Sequence, residues 1–166
     1  VYKFIKPQQF YAGGEVAHWF GHLDVEMFAS LVRHVGYMYN TAFVGPERNN
    51  HGHAFLQKFR NIYPVRRIYQ EQYIDRDNDN DTPKLGWLTT KQSKPIIIEG
   101  LKELLRTQSS GIRWIGTISE LNSYVYDAKG SMNAQAGCFD DQLISYAIAQ
   151  EMRARMSKKV KRDDSQ

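Results

Sequence analysis

The stretch DVEMFASLVRHVGYMYNTAFVGPERNN, Asp24 to Asn50, carries two periodicities in succession. Val25, Phe28, Val32, Val35 and Tyr39 recur every three or four residues, the spacing that lines one face of an α-helix. Asp24 stands where an N-cap belongs and Asn40 where that helix ends. Thr41 to Gly45 then reads as a short buried strand, and Asn50 to Arg60 as a second helix with Phe55 and Phe59 turned inward. Between the two lies a polar group, Glu47, Arg48, Asn49 and Asn50, directly where the strand stops.

Upstream, Tyr2 to Ile5 and Glu15 to Leu23 have the aromatic and β-branched character of strands, and Gly13-Gly14 supplies a turn for a hairpin. The resulting order of strand, helix, strand, helix is the grammar of an α/β layer fold. Downstream, the residues predict a strand over 66–70, an exposed loop over 74–84 and a helix capped by Ser93, with Pro95 in its first turn and Ile97, Leu101, Leu104 and Leu105 along one face. A short strand over 112–115, a helix over 119–126 and a last helix from Asp140 to about Met156 complete the chain, the last burying Leu143, Ile144, Ala147 and Ile148. Residues 157–166 are basic and read as a disordered tail, so the expected domain spans 1–156.

A chain of 166 residues with 42% hydrophobic content suits one domain with a real core. Its single cysteine, Cys138, excludes an internal disulfide and a cysteine-based zinc cluster, which favours a reducing, cytoplasmic setting. No apolar run approaches the roughly 20 residues of a membrane span, so no membrane partner is expected. The net charge of +4 is compatible with anionic partners without requiring them.

Two acidic positions stand out, Glu47 and the pair Asp140-Asp141, each where strand and helix ends of an α/β domain converge. Structural duties compete for both: a helix-start aspartate commonly caps free N–H groups, and a glutamate after a strand is commonly solvated. If the acids meet, their oxygens suit Mg²⁺ or Mn²⁺. Two such ions about 4 Å apart can activate water and stabilise the leaving oxygen in phosphodiester cleavage. Arg48, Asn49 and Asn50 would support the carboxylate or touch phosphate, although turn chemistry also explains the asparagines. Asp75, Asp77 and Asp79 imitate the start of a calcium loop, but Asn80 replaces its glycine and Gly86 its last glutamate. His51 and His53 lack a second ligand pair at zinc spacing and are kept as DNA or water contacts.

The blocks GHLDVEMFASLV, VGPERNNHGHAFLQKF, LGWLTTKQSKPIIIEGLKELL, ISELNSYVY and GCFDDQLISYAIA resemble, in order, the nuclease domain of tailed-bacteriophage large terminases, over about residues 15–152. The resemblance implies a ribonuclease H-like α/β fold, a mixed sheet flanked by helices. It also implies a metal-dependent endonuclease that cuts concatemeric viral DNA during packaging with two Mg²⁺ or Mn²⁺ ions. By the same resemblance Glu47 is similar to the central acidic ligand and Asp140-Asp141 to the last, with Asp141 favoured as the direct ligand. Lys84, Lys91 and Lys94 are similar in place to backbone contacts near a DNA-facing hairpin, a kind of contact that positions DNA without reading sequence. The implied partners are double-stranded DNA, an ATPase domain upstream in the same polypeptide, the portal and the small terminase subunit, in the host cytoplasm and transiently at the procapsid portal. A non-catalytic DNA-binding or docking module, and another ribonuclease H-like enzyme such as a junction resolvase, are the alternatives.

The resemblance also implies a first metal-binding aspartate on a strand ahead of Tyr2 to Ile5, and no such acid precedes it in the sequence. The expectation is therefore a nuclease domain lacking its first strand. The 166-residue chain by itself is expected to bind metal weakly and cut DNA little; robust Mn²⁺-dependent plasmid cleavage by it would contradict that expectation.

Overall fold

In the computed structural model, which describes residues 14–49, 51–71, 84–126 and 130–156, helices dominate. The chain runs through α1 (Val25–Met38), α2 (His51–Ile62), a 3₁₀ turn (Val65–Arg67), β1 (Gln70–Glu71) and β2 (Lys84–Leu85). It continues through α3 (Ser93–Arg106), α4 (Ile115–Asn122), β3 (Tyr124–Tyr126), β4 (Met132–Ala134) and α5 (Asp141–Arg155). Helix and strand are thus mixed, as expected. The described strands form two separate two-stranded antiparallel sheets, β1 with β2 and β3 with β4. No helix among the described residues is long and apolar enough to cross a membrane.

Capping and periodicity set the helices. The Asp24 carboxylate accepts hydrogen bonds from the backbone N–H groups of Glu26 and Met27 and so starts α1. Asn40 and Thr41, both with positive φ, turn the chain after it. Phe55, Leu56 and Phe59 of α2 are buried against Ala29 of α1, with Tyr63 and Ile68 completing that cluster. A second cluster holds Ile97, Ile98 and Leu101 of α3, Leu143, Ile144, Ala147 and Ile148 of α5, and the buried rings of Tyr69 and Trp87. At the start of α3, Thr90 Oγ1 accepts from the N–H groups of Gln92 and Ser93, while Ser93 Oγ donates to the Leu88 carbonyl. The capping predicted for Ser93 is therefore shared with Thr90.

Several predicted strands differ in the structure. Residues 41–45 make no continuous ladder; an isolated parallel bridge joins Val44 to Ile68 and another joins Glu47 to Trp87. Pro46 lies between them and has no N–H to donate, so that position serves only as an acceptor, from Trp87 N–H. Over 66–70, the turn after Pro64 replaces the first half of the predicted strand, with Arg67 N–H donating to the Pro64 carbonyl. Glu15 to Leu23 is irregular: Val16, Phe20 and Leu23 stay exposed, so no face is buried to reward pairing. Residues 112–114 are also irregular, and Ile115 opens α4. The helix predicted over 119–126 starts earlier, at Ile115, and stops at Asn122, because the β-prone run Tyr124-Val125-Tyr126 pairs with Met132 to Ala134 instead. The predicted strand at 2–5, Gly13 of the turn, Asn50, the loop residues 74–83 with their calcium-like aspartates, and the basic tail all lie outside the described residues.

Phe59 has no exposed surface and stacks between Phe55 and Tyr63. Phe59→Ala is expected to cost about 3–5 kcal/mol in denaturant unfolding; a cost below about 1 kcal/mol would mean that the α1–α2 contact is not a core.

Candidate functional site

Glu47 sits at the end of the short segment whose backbone is clamped by Trp87. Trp87 N–H donates to the Pro46 carbonyl and Arg48 N–H to the Trp87 carbonyl, at 2.7 and 2.8 Å. Beside this clamp the half-buried Glu47 side chain meets Asn49, whose Nδ2 donates to its Oε1 at 3.1 Å and to the Thr89 carbonyl at 3.2 Å. Asn49 thus ties the carboxylate to the segment that leads into α3. The hydroxyl of Thr89 is buried there without a hydrogen-bond partner. Gly52 makes the geometry possible: a Cβ at this first turn of α2 would lie 1.8 Å from the Glu47 carbonyl oxygen.

Neighbouring residues divide by role. Arg48 is buried, and its guanidinium pairs with Glu71 at 2.6 Å. His51 and His53 are exposed in the first turns of α2. Asn50, predicted beside them, lies outside the described residues. Lys84 on β2 and Lys91 ahead of α3 are exposed.

The third lysine, Lys94, lies in the first turn of α3 and reaches α5. Its Nζ donates to Asp140 Oδ2 and to Asn133 Oδ1 of β4, both at 3.2 Å, and stands 5.6 Å from the centre of the Tyr124 ring. Burial opposes its charged form, but the hydrogen bond and charge of Asp140, together with Tyr124, outweigh it and hold the ammonium above its ordinary value of 10.5. Asp140 is the N-cap residue of α5, yet its side chain makes no capping hydrogen bond. Asp141, the first residue of that helix, is exposed.

The capping duty falls to a residue that the sequence did not single out. Glu120 of α4, 8% exposed, accepts from Leu143 N–H at 2.8 Å through Oε2 and from Gln142 Nε2 at 2.7 Å through Oε1. Gln142 Oε1 in turn accepts from Trp114 Nε1 at 2.8 Å. Farther along, Glu15 Oε2 accepts from the N–H groups of Arg113 and Trp114, and Glu15 Oε1 bonds His18, which stacks on Trp114. A cleft of about 360 Å³ opens between this N-terminal segment and α5, lined by His18, Trp19, Tyr146 and Arg153 among others; neither Glu47 nor Asp141 borders it.

The donor chemistry suits a hard cation, since carboxylates, a carbonyl and an orphaned hydroxyl are present. The arrangement does not: among the described residues no group of three or more His, Cys, Asp or Glu is gathered to hold a metal ion, so Glu47, Asp140 and Asp141 do not form such a cluster. Each acid position is instead attached separately to the start of α3, Glu47 through Asn49 and Asp140 through Lys94. Comparison of the chain with known families, with curated proteins and with solved structures finds no match.

Lys94 and Asp140 are each about a quarter exposed. Lys94→Met is therefore expected to destabilise by about 1 kcal/mol or less. Since the folded-state value of Lys94 is raised, the contribution of the pair is complete below the ordinary lysine value and disappears as pH climbs through the folded one. The wild-type advantage over Lys94→Met should hold constant from neutral to mildly alkaline pH in unfolding titrations; a loss already at pH near neutrality would refute the pairing.

Proposed function

We propose that this chain is a nuclease domain of the terminase type, hydrolysing phosphodiester bonds of double-stranded DNA with the help of divalent cations. The observation that supports it best is the shared attachment of two acid positions, far apart in sequence, to one helix start. Glu47 is joined to Thr89 by Asn49, and Asp140 to Lys94, only a few residues along the same segment. The ordered resemblance of the ERNNHGH and GCFDD blocks to that family adds the chemical interpretation.

Bound Mg²⁺ or Mn²⁺ would supply an activated water and charge stabilisation at the leaving oxygen. The protein's own contribution is orientation. Asn49 fixes the Glu47 carboxylate, and Lys94 offsets the negative charge of Asp140. Exposed His51, His53 and Lys91 would meet the DNA backbone, which favours cutting with little sequence preference. In this reading the portal, the small terminase subunit and an ATPase domain in the same polypeptide are the partners, and the work is done in the host cytoplasm at the procapsid portal.

That the three carboxylates are not gathered favours a second reading, a DNA-binding or docking module whose acids are structural. The two separate in a longer polypeptide carrying the upstream strand and motor. Glu47→Ala there is expected to abolish metal-dependent cutting while ATP hydrolysis persists. Equal loss of both activities would point to misfolding, undiminished cutting would sink the nuclease reading, and selective cleavage of branched DNA would indicate a junction resolvase.

A further inference from the structure

An N-cap aspartate ordinarily spends its carboxylate on the N–H of the second or third helical residue. In α5 the third helical residue is Leu143, and its N–H is taken by Glu120, which comes from a different helix. Asp140 is thereby released and turns to Lys94. We propose that Glu120 is a positioning residue: by capping α5 from outside, it keeps the Asp140-Asp141 pair free of structural duty and available at the helix start. This rests on the nuclease reading for what the pair then does, but the positioning role itself does not.

Three observations make Glu120 more than an incidental contact. Its carboxylate is buried, and both oxygens are engaged by donors at the start of α5. A buried carboxylate is costly unless hydrogen-bonded, so its retention requires this pairing. The approach is also built sterically, since a Cβ on Gly116, one turn earlier in α4, would stand 2.4 Å from Gln142 Oε1 and 2.6 Å from Trp114 Nε1. A side chain there would dislodge the glutamine that holds Glu120 in place.

Glu120→Met keeps much of the shape but carries no oxygen, so it accepts from neither Leu143 N–H nor Gln142 Nε2. The nearest substitute for Leu143 is the carboxylate of Asp140, through the ordinary capping geometry. Asp140 should then leave Lys94. In the full chain, a double-mutant cycle of Lys94→Met and Asp140→Asn, followed by tryptophan fluorescence during denaturant unfolding, should show non-additivity with Glu120 present and additivity in the Glu120→Met background. Coupling that survives Glu120→Met would overturn the proposal, as would its absence from the chain with Glu120 or its equal loss in Phe59→Leu, which loosens the other core cluster.

Discussion

The buried hydrogen bond from Leu143 N–H to Glu120 is the contact on which much of the arrangement depends. Leu143 has no exposed surface, and its side chain anchors α5 in the cluster shared with α3. A helix start at that depth cannot leave its first N–H groups to water, so an acceptor must come with it. Glu120 supplies one and in doing so fixes α4 against α5. The β3–β4 hairpin follows directly from α4, and Lys94 closes the circuit by binding Asn133 of β4 as well as Asp140. One buried carboxylate therefore sets the mutual placement of two helices, while a half-buried lysine joins them to a third.

The helices were legible wherever local chemistry decides them. Asp24 caps α1 through its own neighbours, the phenylalanines of α2 are four residues apart, and the apolar face of α5 repeats at helical spacing. Strands were harder because their partners are remote: the 66–70 segment looked β-prone but yields first to the turn that Pro64 initiates, and Tyr124 to Tyr126 was read as the end of a helix. At the site, Glu47, Asn49 and the aspartate pair were singled out from residue type and position, whereas Lys94 was named only as a DNA contact by resemblance and its pairing with Asp140 was not foreseen. Glu120 was not, since a single glutamate inside a helix carries no signal of a cap it provides more than twenty residues away. The asparagine behind Glu47 shows the opposite case, two positions along the chain and readable at once.

Asp140 illustrates how a structure changes the weight of a sequence pattern. From sequence, an aspartate opening a helix is best explained as its cap, and that explanation leaves nothing for chemistry. The side chain makes no such bond here, and the competing account loses its main support. Arg48 moves the other way. An arginine beside a candidate ligand suggests phosphate, whereas its burial against Glu71 makes it part of the scaffold.

The short segment from Val44 to Arg48 separates two bodies of apolar contact, one around α1 and α2 and one around α3 and α5. Its pairing with Ile68 and Trp87 amounts to two isolated bridges. Backbone hydrogen bonds run along both bridges: Val44 donates to Arg67 and accepts from Tyr69, Pro46 accepts from Trp87, and Arg48 donates to Trp87. Val44 packs on one cluster and Trp87 belongs to the other, so the segment that carries Glu47 is tied to both. A substitution that loosens either cluster would therefore reach the Glu47 backbone through these bonds, without touching the carboxylate itself.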